Sequence, residues 1–327
     1  MTGEHQVIVR TNRLQFKFTL KRNITVLRGN SATGKTTLIE LIEQHQNNRN
    51  GSGVEISCDK KCVVLTENNW QVILAATKDS LVFIDEGVYF LNTKEFALAV
   101  KNSDNYYCIS VRDNLPLLPY SVDEIYTLKN TTKKYGTFKR AYASFQQIYS
   151  KEKISSSEIK KPDVVIAEDS NSGWQFFSNY FEKLNISCIS AKGNSNVASE
   201  ILKIDSSKNI LIIADGAAFG AFIEKIMNLK FSRSITIYLP ESFEWLILDS
   251  GLIKSTDLKE ILSHPSDYIE SSQYFRWEQF FAHLLQEKTK GTYLQYNKSK
   301  LNNAYLQKHE QKTIAANSIL GKVESII

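Results

Sequence analysis

The chain predicts an α/β protein, because short apolar strands alternate with stretches of helical periodicity through both of its halves. Three observations carry that prediction. The run Ile24-Thr-Val-Leu27 leads through a glycine-bearing turn into the helix-like run Thr37-Leu-Ile-Glu-Leu-Ile42. Leu81-Val-Phe-Ile84 is apolar at every position, the mark of a strand buried on both faces, and ends in Asp85-Glu86. From Asp163 to Leu239 the pattern is β-α-β-α-β-α-β. Beyond Pro240 the chain turns helical.

Gln6-Val-Ile-Val-Arg10 and Leu14-Gln-Phe-Lys-Phe-Thr-Leu20 alternate in polarity and predict two strands with one solvated face. The turn that follows Leu27 comprises Gly29, Asn30, Ser31, Ala32, Thr33, Gly34, Lys35 and Thr36, a G-x-x-x-x-G-K-[ST] pattern in the order strand, loop, helix. Two glycines allow torsions that a Cβ disfavours, so successive N–H groups can face one concavity and hold phosphate oxygens. The helix adds its unpaired N-terminal donors. Lys35 is placed to reach β and γ phosphates, Thr36 to hold Mg²⁺ and Thr37 to touch the α phosphate. A chance match in a glycine-bearing turn is the plainer alternative.

Asp85 at the tip of its strand would hold the magnesium through water, and Glu86 would orient or deprotonate the attacking water. An ordinary helix cap at Asp85 is the alternative. Strands are also expected at Val54-Glu-Ile-Ser57, Cys62-Val-Val-Leu65 and Tyr106-Tyr-Cys-Ile-Ser-Val111, with helices over Trp70 to Ala76 and Thr93 to Val100. Arg112 follows the last of these strands, where it is either a γ-phosphate sensor or a surface arginine.

Residues 6 to 130 resemble the P-loop ATPases of the ABC/AAA type. That resemblance implies an N-terminal P-loop NTPase domain with ATP and Mg²⁺ as cofactors, and Lys35 and Glu86 as catalytic groups. No LSGGQ-like signature stands between Thr37 and Leu81, and the short spacing from Lys35 to Asp85 leaves no room for a helical subdomain.

Composition sets the wider bounds. With 327 residues, 42% hydrophobic and 23% charged, the chain has the make-up of a globular protein of two or three domains. No apolar run approaches the ~20 residues that span a bilayer, and the start lacks a signal-peptide core, so a cytoplasmic protein without a membrane partner is expected. Cys58, Cys62, Cys108 and Cys188 sit in or beside apolar strands, as buried thiols do. Cys58 and Cys62 have ligand-like spacing but no companion pair. The five histidines show no ligand spacing.

A net charge of +5 is mild, but its distribution is uneven. Lys129, Lys133, Lys134, Lys139, Arg140, Lys151, Lys153, Lys160 and Lys161 face only Glu152 and Glu158, with Tyr135, Phe138, Tyr142, Phe145 and Tyr149 among them. Residues 131–161 are expected to be a basic linker. It either meets a nucleic-acid backbone and its bases or is a solvated connector whose aromatics pack on a neighbour.

In the second half, Glu168 follows the strand Asp163-Val-Val-Ile-Ala167, and Asp215 follows Ile210-Leu-Ile-Ile-Ala214. Carboxylates at the tips of two parallel strands meet at one sheet edge and can share a divalent ion. Residues 162 to 250 resemble the Toprim domain of topoisomerases, primases and OLD-family nucleases. There a glutamate after the first strand and an Asp-x-Asp pair after the third hold Mg²⁺ for phosphodiester chemistry. Glu168 matches the glutamate and Asp215 the first aspartate, while Ala217 stands at the second; Asp169, Glu241 and Glu244 are candidate substitutes.

The expected plan is therefore a P-loop NTPase domain over 1–130, the linker, a Toprim-like α/β domain over 162–250 and a helical C-terminal region over 251–327. In the last, Trp277, Phe280, Phe281, Leu284 and Leu285 predict a core stripe. The plan is similar to the ATPase–nuclease proteins of the OLD family. That implies ATP hydrolysis, action on nucleic acid, and a homo-oligomer or protein partner. The rivals are a nucleotide-switched regulatory protein with a degenerate Toprim-like site, favoured by Ala217, and a small-molecule kinase, for whose lid the short motif spacing offers no place.

Overall fold

The computed structural model describes residues 1–29, 33–48, 51–135, 138–155, 159–316 and 318–326; for 132–135 and 138–140 it describes the backbone alone. The chain forms two compact units, Met1–Tyr149 with His264–Phe275, and Ser150–Ser263 with Arg276–Ile327. Among the described residues no helix is long and apolar enough to cross a membrane.

The first unit is built on a nine-stranded mixed sheet. Its strands are β1 (His5–Arg10), β2 (Leu14–Leu20), β3 (Ile24–Leu27), β4 (Glu55–Ser57), β5 (Lys61–Leu65), β6 (Ser80–Ile84), β7 (Tyr106–Ser110), β8 (Ile125–Tyr135) and β9 (Phe138–Gln147). They lie in the order β4-β1-β2-β9-β8-β3-β7-β6-β5. The block β8-β3-β7-β6-β5 is parallel throughout. Strands β3, β6 and β7 are buried at every position, which is why the sequence there is mostly apolar, with Thr25, Ser80 and Ser110 as the polar exceptions. Strand β1 alternates buried and open positions, as its alternating polarity predicts.

Helix α1 (Lys35–Asn48) lies at the centre of this unit. Its Leu38, Ile39, Leu41 and Ile42 share one core with Val7, Phe16 and Phe18 from the antiparallel side and with Val64 and Phe83 from the parallel side. Strands β4 and β5 stand at opposite ends of the sheet order, yet only residues 58–60 join them. At roughly 3.5 Å per residue that connection spans about 14 Å at most, so the sheet curls around α1. Helices α2 (Trp70–Ala75) and α3 (Lys94–Lys101) link the parallel strands, and Thr93 caps α3 by accepting from Phe96 N at 3.2 Å.

Residues 131–161, expected to be a linker, instead contribute most of an antiparallel hairpin inside the sheet. β8 pairs with β9, β8 runs parallel to β3, and β9 runs parallel to β2. The physical reason is an apolar face: Leu128 and Ala143 are buried, Tyr126 and Phe145 pack against the same core, and Phe145 stacks on Phe18 at 4.1 Å between ring centroids. Phe145 is thus a core residue and not a base platform. The side chains of Lys133, Lys134, Tyr135, Phe138, Lys139 and Arg140, and residue Glu158, lie outside the description. Only the short helix α4 (Lys151–Ser155) and its flanks remain of the expected connector.

The second unit holds a four-stranded parallel sheet of β10 (Val164–Ala167), β11 (Ser187–Ser190), β12 (Ile210–Ile213) and β13 (Ile235–Tyr238), in the order β11-β10-β12-β13. Helices α5 (Ser172–Glu182), α6 (Val197–Lys203) and α7 (Gly220–Leu229) make the crossovers. Helices α8 (Phe243–Asp249), α9 (Leu258–Ser263), α10 (Trp277–Thr289), α11 (Lys308–Ala316) and α12 (Ile319–Ser325) complete this unit. Trp277, Phe281, Leu284 and Leu285 of α10 are buried.

Residues 251–327, expected as one helical region, are divided between the units. The segment His264–Phe275 belongs to the first: Gly3 N donates to Ser266 O at 2.8 Å, Ser271 N to Met1 O at 3.1 Å, and Asn23 Nδ2 to Phe275 O at 2.7 Å.

Candidate functional site

The first candidate site lies where β3 passes into α1. Gly29 has φ +150° and Gly34 has φ +97°, both in the region that favours glycine. A Cβ on Gly29 would also stand 2.9 Å from Thr127 Oγ1 on β8, so the neighbouring strand enforces the glycine. The turn is braced from that strand as well: Arg28 N donates to Tyr126 O at 2.7 Å and Asn130 Nδ2 to Thr33 O at 3.1 Å. Lys35 is buried, with its Nζ donating to Gly29 O at 2.8 Å and reaching Thr33 Oγ1 at 3.4 Å. The ammonium therefore folds back over the turn. Thr36 is exposed and Thr37 half-buried. Asn30, Ser31 and Ala32 lie outside the described residues.

Strand β7 lies between β3 and β6, with Leu27 opposite Ser110 and Ile84 opposite Ile109. Parallel alignment thus brings the turn after β3 and the Asp85-Glu86 pair after β6 to the same sheet edge, one strand apart. Asp85 Oδ1 accepts from Glu86 N at 2.8 Å. Arg112, two residues beyond β7, donates from Nη2 at 2.7 Å and from Nε at 3.1 Å to Glu86 Oε1. These bonds hold the Glu86 carboxyl below its ordinary range; burial opposes the shift, and the charges of Lys35 and Arg112 add to it. Glu86 Oε2 is buried without a hydrogen-bond partner among the described residues, as is Ser110 Oγ at the tip of β7. Sequence reasoning did not single out Ser110; an isolated serine at the end of an apolar strand carries no pattern.

The second candidate site lies at the C-terminal edge of the parallel sheet. Ala167 of β10 pairs with Ile213 of β12, so Glu168 and Asp215 extend from adjacent strand ends. Burial pushes the Glu168 carboxyl up to about 7, and the negative charges of Glu278 and Asp169 push the same way; Lys298 and Arg276 oppose them. Asp215 is likewise raised well above its ordinary range, by burial first and then by Glu278, Glu168 and Glu244, with Lys298 opposing. The Lys298 ammonium is correspondingly pushed up by Glu244, Glu278 and Asp215, against its own burial.

The three substitutes weighed for the missing aspartate at Ala217 differ in their commitments. Asp169 caps α5, accepting from Ser170 N at 2.7 Å, Asn171 N at 3.0 Å and Gly173 N at 2.9 Å. Glu241 is ion-paired with Lys151. Glu244 is 1% exposed; its Oε1 accepts from Tyr296 Oη at 2.6 Å and lies 3.3 Å from Lys298 Nζ, while Oε2 is buried without a partner among the described residues. Ala217 itself is buried, its N donating to Glu241 O at 3.2 Å.

Glu278, from the first turn of α10, and Lys298 were invisible to sequence reasoning as members of this site. They lie 60 or more positions beyond Asp215, and no local motif marks them. The donor set of Glu168, Asp215, Glu244 and Glu278 is all hard oxygen, the chemistry that suits Mg²⁺ or Mn²⁺. Among the described residues, no three histidine, cysteine or acidic groups are already gathered in a metal-holding arrangement. The fit is one of chemistry and charge, with side-chain movement needed to close it.

Comparison with protein-family models, with curated proteins and with solved structures returns no significant match to this chain.

Proposed function

We propose that the first unit is a P-loop module that binds and hydrolyses ATP, and that the second is a Toprim-like, metal-dependent site acting on nucleic acid, in the manner of OLD-type ATPase–nuclease proteins. The observation that carries the reading is the turn from Gly29 to Lys35 between β3 and α1, with Asp85-Glu86 at the same sheet edge. N–H groups of the turn and the N-terminus of α1 would bind phosphate oxygens. Lys35, released from Gly29 O, would meet the β and γ phosphates. Thr36 and Asp85 would hold Mg²⁺, which when bound neutralises phosphate charge.

Glu86 is the base in this reading. It is kept ionised by Arg112, and its unpartnered Oε2 is the atom that would accept a proton from water. Arg112 itself is the candidate contact to the γ phosphate. In the second unit Glu168 and Asp215 would bind Mg²⁺ or Mn²⁺, which when bound activates water and stabilises a phosphoryl centre. The protein residues supply the negative field and its counter-charge, Lys298.

ATP turnover by purified protein should be abolished in Lys35→Ala, and Mn²⁺-dependent cleavage of DNA or RNA should vanish in Glu168→Ala. Turnover that survives Lys35→Ala excludes the ATPase half. Absence of cleavage by the wild type on both nucleic acids favours a second reading, a nucleotide-switched regulatory protein with a non-catalytic second unit, to which Ala217 points.

A further inference from the structure

We propose that Cys58 and Cys62 form a peroxide-reactive dithiol, with Cys58 as the nucleophile and Cys62 as the resolving thiol, a modification site independent of nucleotide turnover. The two residues bracket Asp59-Lys60-Lys61, the connection from β4 into β5. Both are half-buried, and both line one cavity of about 460 Å³ together with His45, Lys60 and Lys61. A small oxidant can enter there; Lys60 is paired with Asp79 at 2.6 Å.

The two cysteines line the same cavity, and the Lys60 backbone N donates to Cys58 Sγ at 3.4 Å. Donors aimed at one sulfur favour its thiolate. Asp59 works against it, with Oδ1 at 3.6 Å from Cys58 Sγ, but its Oδ2 is bound by His5 Nδ1 at 2.8 Å. The balance leaves Cys58 lowered, chiefly by the neighbouring Cys62 thiol, while Cys58 and burial raise Cys62. With the Lys60 N–H aimed at its sulfur, Cys58 is the more readily ionised of the two. Burial raises Cys108 and pushes Cys188 up to about 12, so neither competes.

The chemistry balances with a hydroperoxide as oxidant. The Cys58 thiolate attacks the distal peroxide oxygen; an S–O bond forms, the O–O bond breaks, and the alkoxide or hydroxide leaves with a proton. Cys62 then attacks the Cys58 sulfur of the sulfenic acid, forming the S–S bond and expelling the hydroxyl as water with the Cys62 proton. Two thiols are oxidised, and one peroxide is reduced to an alcohol or water, plus one water.

The test uses full-length protein, brief hydrogen peroxide, alkylation without reduction, and tryptic mass mapping. Trypsin cuts after Lys60 and Lys61, so the disulfide survives as two linked peptides that dithiothreitol separates. The expected result is that linked pair, Cys58 alkylating in the untreated protein at least about tenfold faster than Cys188, and a dimedone adduct on Cys58 in Cys62→Ser. The proposal is overturned if no linked pair forms in wild type, if Cys188 alkylates as fast as Cys58, or if Cys62→Ser yields no adduct on Cys58.

Discussion

Glu168 has its carboxyl raised to about 7, chiefly by burial, so its charged form weakens the second unit. A group whose folded value lies above its unfolded one favours folding below the unfolded value, near 4.3, and loses that contribution as pH rises toward 7. Glu168→Gln removes the titration. It should leave stability near pH 4 unchanged and raise it at pH 8 by about 1–4 kcal/mol, the upper figure being the full shift at 1.36 kcal/mol per unit. Thermal unfolding across that range checks it, and equal stability at pH 8 would count against it. Glu86 runs the other way. Its carboxyl is held low by Arg112, so Arg112→Ala should move the acid limb of the kcat–pH profile upward; an unmoved limb would mean that Arg112 does not set the ionisation of Glu86.

At the scale of the element, the β8–β9 hairpin ties the antiparallel strands to the parallel block, and Phe145 on Phe18 is the contact that seats it. Phe145→Ala should destabilise the first unit by about 2 kcal/mol, below the ~3–5 of a fully buried phenylalanine because Phe145 is half-buried. Denaturant unfolding followed by intrinsic fluorescence measures this, and a loss under about 0.5 kcal/mol, the level of an exposed surface change, would contradict the core assignment. Strands β3, β6 and β7 were legible in the sequence because burial on both faces leaves few polar positions, Thr25, Ser80 and Ser110. The hairpin was not, since its described open positions are polar, Lys129, Asn130, Thr131 and Ser144, and its inner face is partly alanine, so its sequence reads as a basic connector. The glycine-bearing turn between β3 and α1 was legible because its pattern is local, within eight consecutive residues. The Glu278 and Lys298 contribution was illegible because only the tertiary fold places α10 and the segment after it beside strand tips far earlier in the chain.

At the scale of the whole molecule, the chain crosses between its two units three times, after Tyr149, Ser263 and Phe275. The first unit is consequently not a simple N-terminal piece. A fragment of residues 1–149 lacks the partners of Gly3, Asn23 and Met1 in the segment His264–Phe275. It should melt below the full chain's first unit, and adding residues 264–275 through a short linker should recover much of the loss; equal melting of fragment and full chain would argue against an interleaved unit. The most direct measurement of what the first unit does pairs ATP binding with ATP turnover in Glu86→Gln. Binding should persist, since Lys35 and the turn are untouched, while turnover falls at least about a hundredfold, the scale of a lost general base. Wild-type turnover in that variant, or binding lost together with turnover, would contradict the assignment of Glu86 as the base.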